Sequence, residues 1–397
     1  MNPSVPIGNV TLCRKQNTQF AQRIQRLNSS PLRDIFSAID NKKIISFAGG
    51  LPAPETFPDL GVISAASAYL QYGVSEGEPM LREYIAKKLT QSGLPTKAER
   101  VLIVSGSQQG IDLVAKLLVE EDTLVGIESP TYLTALQVFG LFGAKYHTFS
   151  AGDAEKAFLS ATPSLLYSVP TFQNPSGYVY TAAERQALAS LCDSRGTVLF
   201  EDDPYRELAY ESCDRKPICA YLKDTDWVYQ SSFSKTVAPG LRIGYLTCSE
   251  AIFPQLLHLK QAADLHSCRL SQQMLIQLLE QEGSEAHSMK IINTYRDKRD
   301  FFNQQLNLHF HDLAEWHIPK GGLFFWLTLK KHITMDTLTL FNRAIRQGVA
   351  FMPGTHFYTG EHSTHNTMRL NFSNASNAEV AKGLKILAKI LRQDMQH

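Results

Sequence analysis

The stretch Ser231-Ser232-Phe233-Ser234-Lys235-Thr236-Val237-Ala238-Pro239-Gly240-Leu241-Arg242-Ile243-Gly244 places one lysine between hydroxyls and an arginine at the mouth of an apolar strand. Val228 to Phe233 reads as a strand entering the interior, and a lysine at such an edge loses its proton more easily than one in water. The neutral amine is a nucleophile that can condense with an aldehyde to a Schiff base. Ser232 and Ser234 offer short hydroxyl donors. Arg242, beyond the Pro239-Gly240 turn, offers a planar fork that suits phosphate oxygens. Together they form an anion cradle beside an amine, which suits an aldehyde ligand carrying a phosphate. The plain alternative is a solvated loop lysine with incidental neighbours, and company elsewhere in the chain has to decide.

That company lies at the ends of other apolar runs. Ser105-Gly106-Ser107-Gln108-Gln109-Gly110 follows Val101-Leu102-Ile103-Val104 and opens a helix, so Ser107 and Gln108 could hold phosphate at its positive end. Gly/Ser turns also start many helices that bind nothing. Asn174, in Pro170-Thr171-Phe172-Gln173-Asn174-Pro175-Ser176-Gly177, could donate its amide to a phenolate oxygen or be a turn residue before proline. Asp202 follows Val198-Leu199-Phe200, where a carboxylate could pair with a pyridinium nitrogen and make the ring an electron sink, or cap a helix or turn. Tyr205 could reach the same phenolate oxygen or be a core tyrosine with its hydroxyl at the surface. Tyr132, in Glu128-Ser129-Pro130-Thr131-Tyr132, could stack on a flat ring or simply pack. Arg369, between Met368 and Leu370, could clamp a carboxylate bidentately or sit in an internal salt bridge. Ile44 to Pro52 reads as a brief strand running into a Gly/Pro turn, where backbone at Gly50 could approach a ligand closely.

The elements that must position these groups are short apolar strands, Val101–Val104, Leu124–Ile127, Leu165–Val169 and Val198–Phe200, with helical patterns such as Ile111 to Val119 and Ala182 to Cys192 between several of them. This alternation predicts an α/β fold with a mostly parallel sheet and helices on both faces. Leu241 to Leu246 follows Lys235 too soon for a parallel crossover, so it is expected antiparallel to its predecessor and the sheet is mixed. Open sheets of this kind bind ligands beyond their strand ends, where four of the candidate groups fall. Long helical patterns at Gln272 to Gln281 and Met289 to Leu308 lead to a smaller α+β region. Its expected strands are Gly321–Leu327, Val349–Pro353 and Met368–Phe372, closed by a helix from Asn377 to Met395. Ser29-Ser30-Pro31-Leu32 predicts a short helix near the start. The expected divisions are an N-terminal arm and short helix over 1–45, a large domain over 46–290 and a small one over 291–397.

Length and composition fit this plan. At 397 residues, with 44% hydrophobic and 19% charged residues, the chain is long enough for two domains with sizeable cores. A net charge of +1 offers no electrostatic reason to bind nucleic acid or a membrane, which leaves small molecules as the expected partners. Cys13, Cys192, Cys213, Cys219, Cys248 and Cys268 are scattered without metal-finger spacing, so no metal and a reducing, cytoplasmic setting are expected. Neither a signal peptide nor an apolar run of membrane-spanning length is evident.

Taken together, Phe47-Ala48-Gly49-Gly50-Leu51-Pro52, Gly106 to Gly110, Asn174-Pro175-Ser176-Gly177, Asp202-Asp203-Pro204-Tyr205, Ser232-Phe233-Ser234-Lys235, Gly240-Leu241-Arg242 and Arg369-Leu370-Asn371-Phe372 resemble, in order and spacing, the fold type I pyridoxal phosphate-dependent aminotransferases of class I/II. The resemblance is to the branch containing 2-aminoadipate and kynurenine aminotransferases, and it runs from about Ile44 to the C-terminal helix. It implies a pyridoxal 5'-phosphate cofactor held by Lys235 as a Schiff base, with Asp202 at the pyridine nitrogen and Asn174 and Tyr205 at the 3-oxygen. Ser107, Gln108, Ser232, Ser234 and Arg242 would surround the phosphate, Tyr132 would lie on the ring, and Arg369 would take the substrate carboxylate. Gln71-Tyr72-Gly73 is similar to the segment whose tyrosine reaches the neighbouring subunit's phosphate, which implies a homodimer. Two departures stand out: Ser231, where many relatives have glycine, and the variant segment Gly77-Glu78-Pro79-Met80-Leu81-Arg82-Glu83.

The implied activity moves an amino group from an α-amino acid to a 2-oxo acid by a ping-pong mechanism, with Lys235 shuttling the α-proton. Two alternatives stay open from sequence. One is another pyridoxal phosphate reaction, such as oxidation, decarboxylation or β/γ-replacement, on the same constellation. The other is a ligand-sensing regulator, against which the stretch before Ile44 reads as too short for a winged-helix module and lacks a basic recognition helix.

Overall fold

The structure is a computed structural model and describes residues 21–26, 44–59, 67–281, 283–359 and 366–395. The helix expected near Pro31 lies outside the described residues, as does Cys13. After β1 (Ile45–Ser46) and α1 (Pro79–Gln91), the chain builds a seven-stranded sheet from β2 (Val101–Val104), β3 (Leu124–Glu128), β4 (Lys145–Phe149), β5 (Leu165–Ser168), β6 (Val198–Asp202), β7 (Trp227–Ser232) and β8 (Gly244–Cys248). Their spatial order is β2-β8-β7-β6-β5-β3-β4. The pairs β3–β4, β3–β5, β5–β6 and β6–β7 are parallel, while β8 runs antiparallel to both neighbours. The mixed sheet expected from the short Lys235–Leu241 interval is therefore present.

Burial on both faces explains the near-continuous apolar runs. Along β2, Val101 and Ile103 join one core with Leu81 of α1, Leu188 of α4 (Ala182–Arg195) and Leu275 of α6 (Arg269–Glu280). Leu102 and Val104 join another with Ile111 of α2 (Ser107–Leu118), Phe139 of α3 (Leu133–Leu141) and Leu256 of α5 (Phe253–Asp264). Helix α4 starts on a Thr181–Glu184 capping box and stops at Gly196, which takes φ 65°.

Two features depart from the sequence reading. Strand β4 lies at the sheet edge, exposes Lys145 and Thr148 and buries only Phe149, so a search for apolar runs passes over it. Strand β8 starts at Gly244 rather than Leu241, because Pro239–Leu241 forms a 3-10 turn and Arg242 takes the left-handed φ of 53°.

The 27-residue α7 (Ser284–Phe310) leads to a four-stranded antiparallel sheet of order β12-β13-β10-β9. Its strands are β9 (Ala314–Trp316), β10 (Phe324–Leu329), β12 (Met352–Pro353) and β13 (Thr367–Asn371), with β11 (Val349–Ala350) pairing β1 in parallel. Helices α8 (Thr337–Arg346) and α9 (Asn377–Asp394) complete it. Strand β10 begins three residues later than expected, because the Gly321-Gly322 backbone first passes against the segment that follows β6: Gly321 bridges Ala209, and a Cβ on it would collide with the Leu208 carbonyl oxygen. A third core joins the two parts. Phe302 of α7 meets Phe47 edge-on at 5.4 Å and stacks on Phe325 of β10 at 5.3 Å, and each such buried ring contributes about 1.5–3 kcal/mol. No helix among the described residues is long and apolar enough to cross a membrane.

Candidate active site

Strands β2, β3, β5, β6 and β7 all point the same way, so the turns leaving them converge at one sheet edge. A cavity of about 140 Å³ opens there. Its walls include Ser107, Gln108, Tyr132, Asn174, Asp202, Tyr205, Ser232, Ser234, Lys235 and Arg242, all singled out in the sequence, together with Val169, Pro204 and Pro239. A larger cavity of about 520 Å³, reached by Thr236 and Val237 and lined by Tyr84, Lys87 and Leu279, holds none of those groups. The chemistry therefore singles out the smaller one.

Asp202 forms the floor. Its Oδ2 accepts a hydrogen bond from the Tyr167 hydroxyl at 2.7 Å, whereas Oδ1 is buried and has no partner among the described residues. Burial pushes the carboxyl up to about 7, with Tyr167 and the nearby Gln230 amide opposing the effect and Asp203 and Glu128 adding to it. Among the described residues Oδ1 has no cationic partner, and the buried Gln230 Nε2 is likewise without a hydrogen bond. Tyr167 is held by Phe139 and Phe200, edge-on at 5.5 and 5.4 Å.

The opposite end is a cradle made by backbone conformation. Helix α2 starts at Ser107 with Gly106 as its N-cap, and no N-cap side chain satisfies its first amides. A Cβ on Gly106, at φ 80°, would lie 2.5 Å from Arg242 Nη2, and one on Gly244 would lie 2.8 Å from the Ser107 nitrogen. These two glycines let the helix start and the arginine share one small space. The Ser232 hydroxyl donates to Ser234 Oγ at 2.9 Å and both serines are buried.

Lys235 stands between the two ends. Its Nζ donates to the Gly50 carbonyl at 2.7 Å, and a Cβ on Gly50 would press within 3.0 Å of the Phe324 ring. Burial pulls this amine down to about 8, with the charges of Arg369 and Arg242 adding. Arg369 of β13 is 2% exposed. It donates from Nη1 to Asn174 Oδ1 at 2.7 Å and from Nη2 to the Ala48 carbonyl at 2.5 Å, while its buried Nε has no partner among the described residues. The guanidinium lies 4.2 Å from the Phe324 ring centre and 5.0 Å from that of Phe357. No carboxylate among the described residues pairs with it, so of the two readings open in the sequence the internal salt bridge is set aside. Burial lifts the Tyr205 phenol above its ordinary range, and the Asn174 amide works against that.

The sequence profile of the family described as aminotransferase class I and II matches residues 49–387. The chain belongs to that family. It is similar to aromatic-amino-acid aminotransferase 1 of Thermococcus litoralis, 31% identical over 95% of each chain. The solved α-aminoadipate aminotransferase of Thermus thermophilus, complexed with N-(5'-phosphopyridoxyl)-L-leucine, superposes with a TM-score of 0.85 at 32% identity, covering 94% of this chain and 97% of that one. The kynurenine aminotransferase of Pyrococcus horikoshii, in complex with PMP, gives 0.87 at 31%, again over 94% and 97%. This aminotransferase therefore has the fold type I architecture and uses pyridoxal phosphate. The cavity fits that group: the unpartnered Asp202 oxygen suits a protonated ring nitrogen, and the glycine-lined cradle suits a phosphate.

Of the sequence-selected residues absent from the cavity wall, Arg369 and Gly50 bond to Asn174 and Lys235 on it, whereas Tyr72 stands apart. It is 76% exposed, packs edge-on against His266 at 5.8 Å and is absent from the cavity wall. Sequence patterns do not single out Tyr167, which reads only as a strand residue, or the Phe324–Phe357 pair around Arg369. Nor do they single out Glu128, which accepts hydrogen bonds from Ser168, Gln173 and Tyr180 and so ties down the turn carrying Asn174. A tyrosine and a glutamate in apolar strands, each needing a buried partner, are the signals that could have found them.

Proposed function

We propose that Lys235 is the Schiff-base lysine and that the cavity transfers the amino group of an α-amino acid to a 2-oxo acid. When bound, pyridoxal phosphate supplies the aldehyde and a ring that accepts the electron pair left by a departing α-proton. Arg242, Ser232, Ser234 and the first turn of α2 at Ser107 and Gln108 hold its phosphate. Asp202 would keep the ring nitrogen protonated, Asn174 and Tyr205 would serve the phenolic oxygen, and Tyr132 would pack against the ring. Arg369 takes the substrate carboxylate: its partners Asn174 and Ala48 are neutral, and Nε is free to donate. Gly50, within hydrogen-bond reach of Lys235, keeps backbone close to the substrate. With the cofactor bound to the donor, the Lys235 amine would take the α-proton and hold it at Nζ for return.

The observation that carries this reading is a buried amine pulled down to about 8 in the same cavity as a carboxylate with an unpartnered oxygen. Borohydride reduction of the isolated protein followed by peptide mass spectrometry tests it, with a reduced adduct expected on Lys235 and an unmodified Lys235 peptide overturning it. Aromatic amino acids, 2-aminoadipate and kynurenine are the proposed donors, by analogy with the relatives. Stoichiometric formation of pyridoxamine phosphate from one of them alone would separate transamination from decarboxylation or oxidation.

The proposed division is a large domain over 46–290 and a small one over 291–397, in keeping with the two sheets. The proposed active unit is a homodimer in which Tyr72 serves the neighbouring cavity, supported by its exposure beside exposed Leu70 and Val74. The thiols of Cys192, Cys213, Cys219, Cys248 and Cys268 are free, which suits the proposed cytoplasmic location.

A further inference from the structure

Behind the Ser105-Gly106 turn, outside the cavity, lies a lysine that the chemistry above does not use. Lys260, on α5, has a side-chain exposure of 0%. Its Nζ donates to Gln109 Oε1, Asp264 Oδ2 and Ser267 Oγ at 2.9 Å each and lies 2.6 Å from Asp264 Oδ1, so that carboxylate straddles the ammonium. Those acceptors grip both sides of the turn. Gln109 Oε1 also accepts from the Ser105 amide at 2.7 Å, and Gln109 Nε2 donates to Asp264 Oδ2 at 2.8 Å. The Ser267 hydroxyl donates to the Ile103 carbonyl of β2 at 3.2 Å. The Ser105 hydroxyl lies 3.3 Å from Asp264 Oδ2 and 3.4 Å from Ser267 Oγ.

This placement answers a need of the cradle. An anion site made of helix amides works only while those amides stay aimed at the anion, and α2 has no N-cap side chain to hold its own first turn. A fully buried ammonium is costly unless every donor is paired. Here Gln109 links the ammonium to the Ser105 amide, Asp264 links it to the Ser105 hydroxyl and the Gln109 amide, and Ser267 links it to the Ile103 carbonyl at the end of β2.

We infer that Lys260, acting through Gln109 and Asp264, is a positioning residue that sets the phosphate-binding turn. The inference rests on the reading that this cradle takes the cofactor phosphate. Its signature is selective, because a residue that positions only the phosphate contacts affects pyridoxal phosphate and leaves pyridoxal, which lacks the phosphate, untouched. A residue that merely supports the fold affects both.

The test titrates the full-length chain, freed of cofactor, with each compound. Lys260→Met is expected to weaken pyridoxal phosphate binding about tenfold, equivalent to about 1.4 kcal/mol, with pyridoxal binding changed less than about twofold. Gln109→Leu cuts the link to Ser105 while leaving Lys260 paired with Asp264 and Ser267. It is expected to show the same selectivity, and it decides the matter if the first variant does not fold. Equal losses for both compounds, or no loss for either, overturn the inference. Arg242→Ala separates the two layers of reasoning: if it too fails to discriminate between the compounds, the cradle assignment itself is wrong, whereas discrimination by Arg242→Ala alone rejects only the role of Lys260.

Discussion

At one end of the cavity Asp202 sits among buried side chains, with Tyr167 on one oxygen and no described partner on the other. At the other end Arg242, two serines and an uncapped helix start share a space kept open by two glycines. The first end draws its character from desolvation, which drives the carboxyl up to about 7. The second draws its character from backbone conformation, with positive φ at both Gly106 and Arg242. The two ends should therefore break differently: the acid end when a charge is removed, the cradle when a methyl group is added. Lys235 belongs to both, since the cations Arg369 and Arg242 and the surrounding burial together weaken its hold on a proton.

Removing what joins the ends has the largest expected effect. Lys235→Ala should abolish transamination, a fall of more than about 10³-fold in kcat measured with excess cofactor, whereas turnover near the wild-type rate would defeat the assignment.

Next comes the acid end. Asp202→Asn should lower kcat by about 10²–10³-fold with a smaller change in cofactor affinity. The same substitution should stabilise the cofactor-free protein. The folded carboxyl titrates near 7 against an ordinary 3.8, so between those values the folded state binds more protons than the unfolded one. Stability therefore falls as pH rises through that window, and the full cost is present above it. Thermal melts of cofactor-free protein should show the variant above wild type at about pH 8 and level with it near about pH 4. A variant that melts lower at the higher pH would mean that the hydrogen bond from Tyr167, or a second partner on Oδ1, outweighs the cost of burying the charge in the cofactor-free state.

At the cradle, Gly106→Ala should cost about tenfold to a hundredfold in pyridoxal phosphate affinity, through a strained φ and a collision with Arg242, while leaving the kcat of the saturated enzyme within a few fold. A kcat loss as large as that of Asp202→Asn would erase the distinction between the ends.

The smallest effect is one of pH. The Lys235 amine, at about 8, is protonated and unreactive below that value, so the rate at which cofactor-free protein captures pyridoxal phosphate should fall about tenfold per pH unit below it and level off above. A flat stopped-flow profile across that range would show that the amine is already neutral.

Much of the site is legible in residue types and spacing. Lys235, Ser232, Ser234 and Arg242 lie within eleven residues, and Ser107, Asn174 and Asp202 each follow or end an apolar strand, so the rule that ligands bind at the ends of such strands groups them on sequence grounds. Edge strand β4 and the late start of β8 are not legible, because the first carries Lys145, His147 and Thr148 in place of an apolar run and the second depends on a left-handed arginine that no propensity favours. Tyr167 and Phe200 look alike as members of apolar strands. Only their relation to Asp202 distinguishes a hydroxyl that holds the carboxylate from a ring that packs beside it.

Family membership, the alternating strand and helix plan and the candidate for the reactive amine are written in the chain itself, because each is carried by local patterns of polarity and by residues close together in sequence. Which neighbours tune those groups is settled by packing. Arg369 reaches Asn174 from 195 positions away and Lys260 reaches Gln109 from 151, and in each case the contact depends on how separate elements come together. Burial, which shifts Asp202 and Lys235 toward the same range of pH from opposite sides, is a property of the assembled core, and no short stretch of sequence contains it.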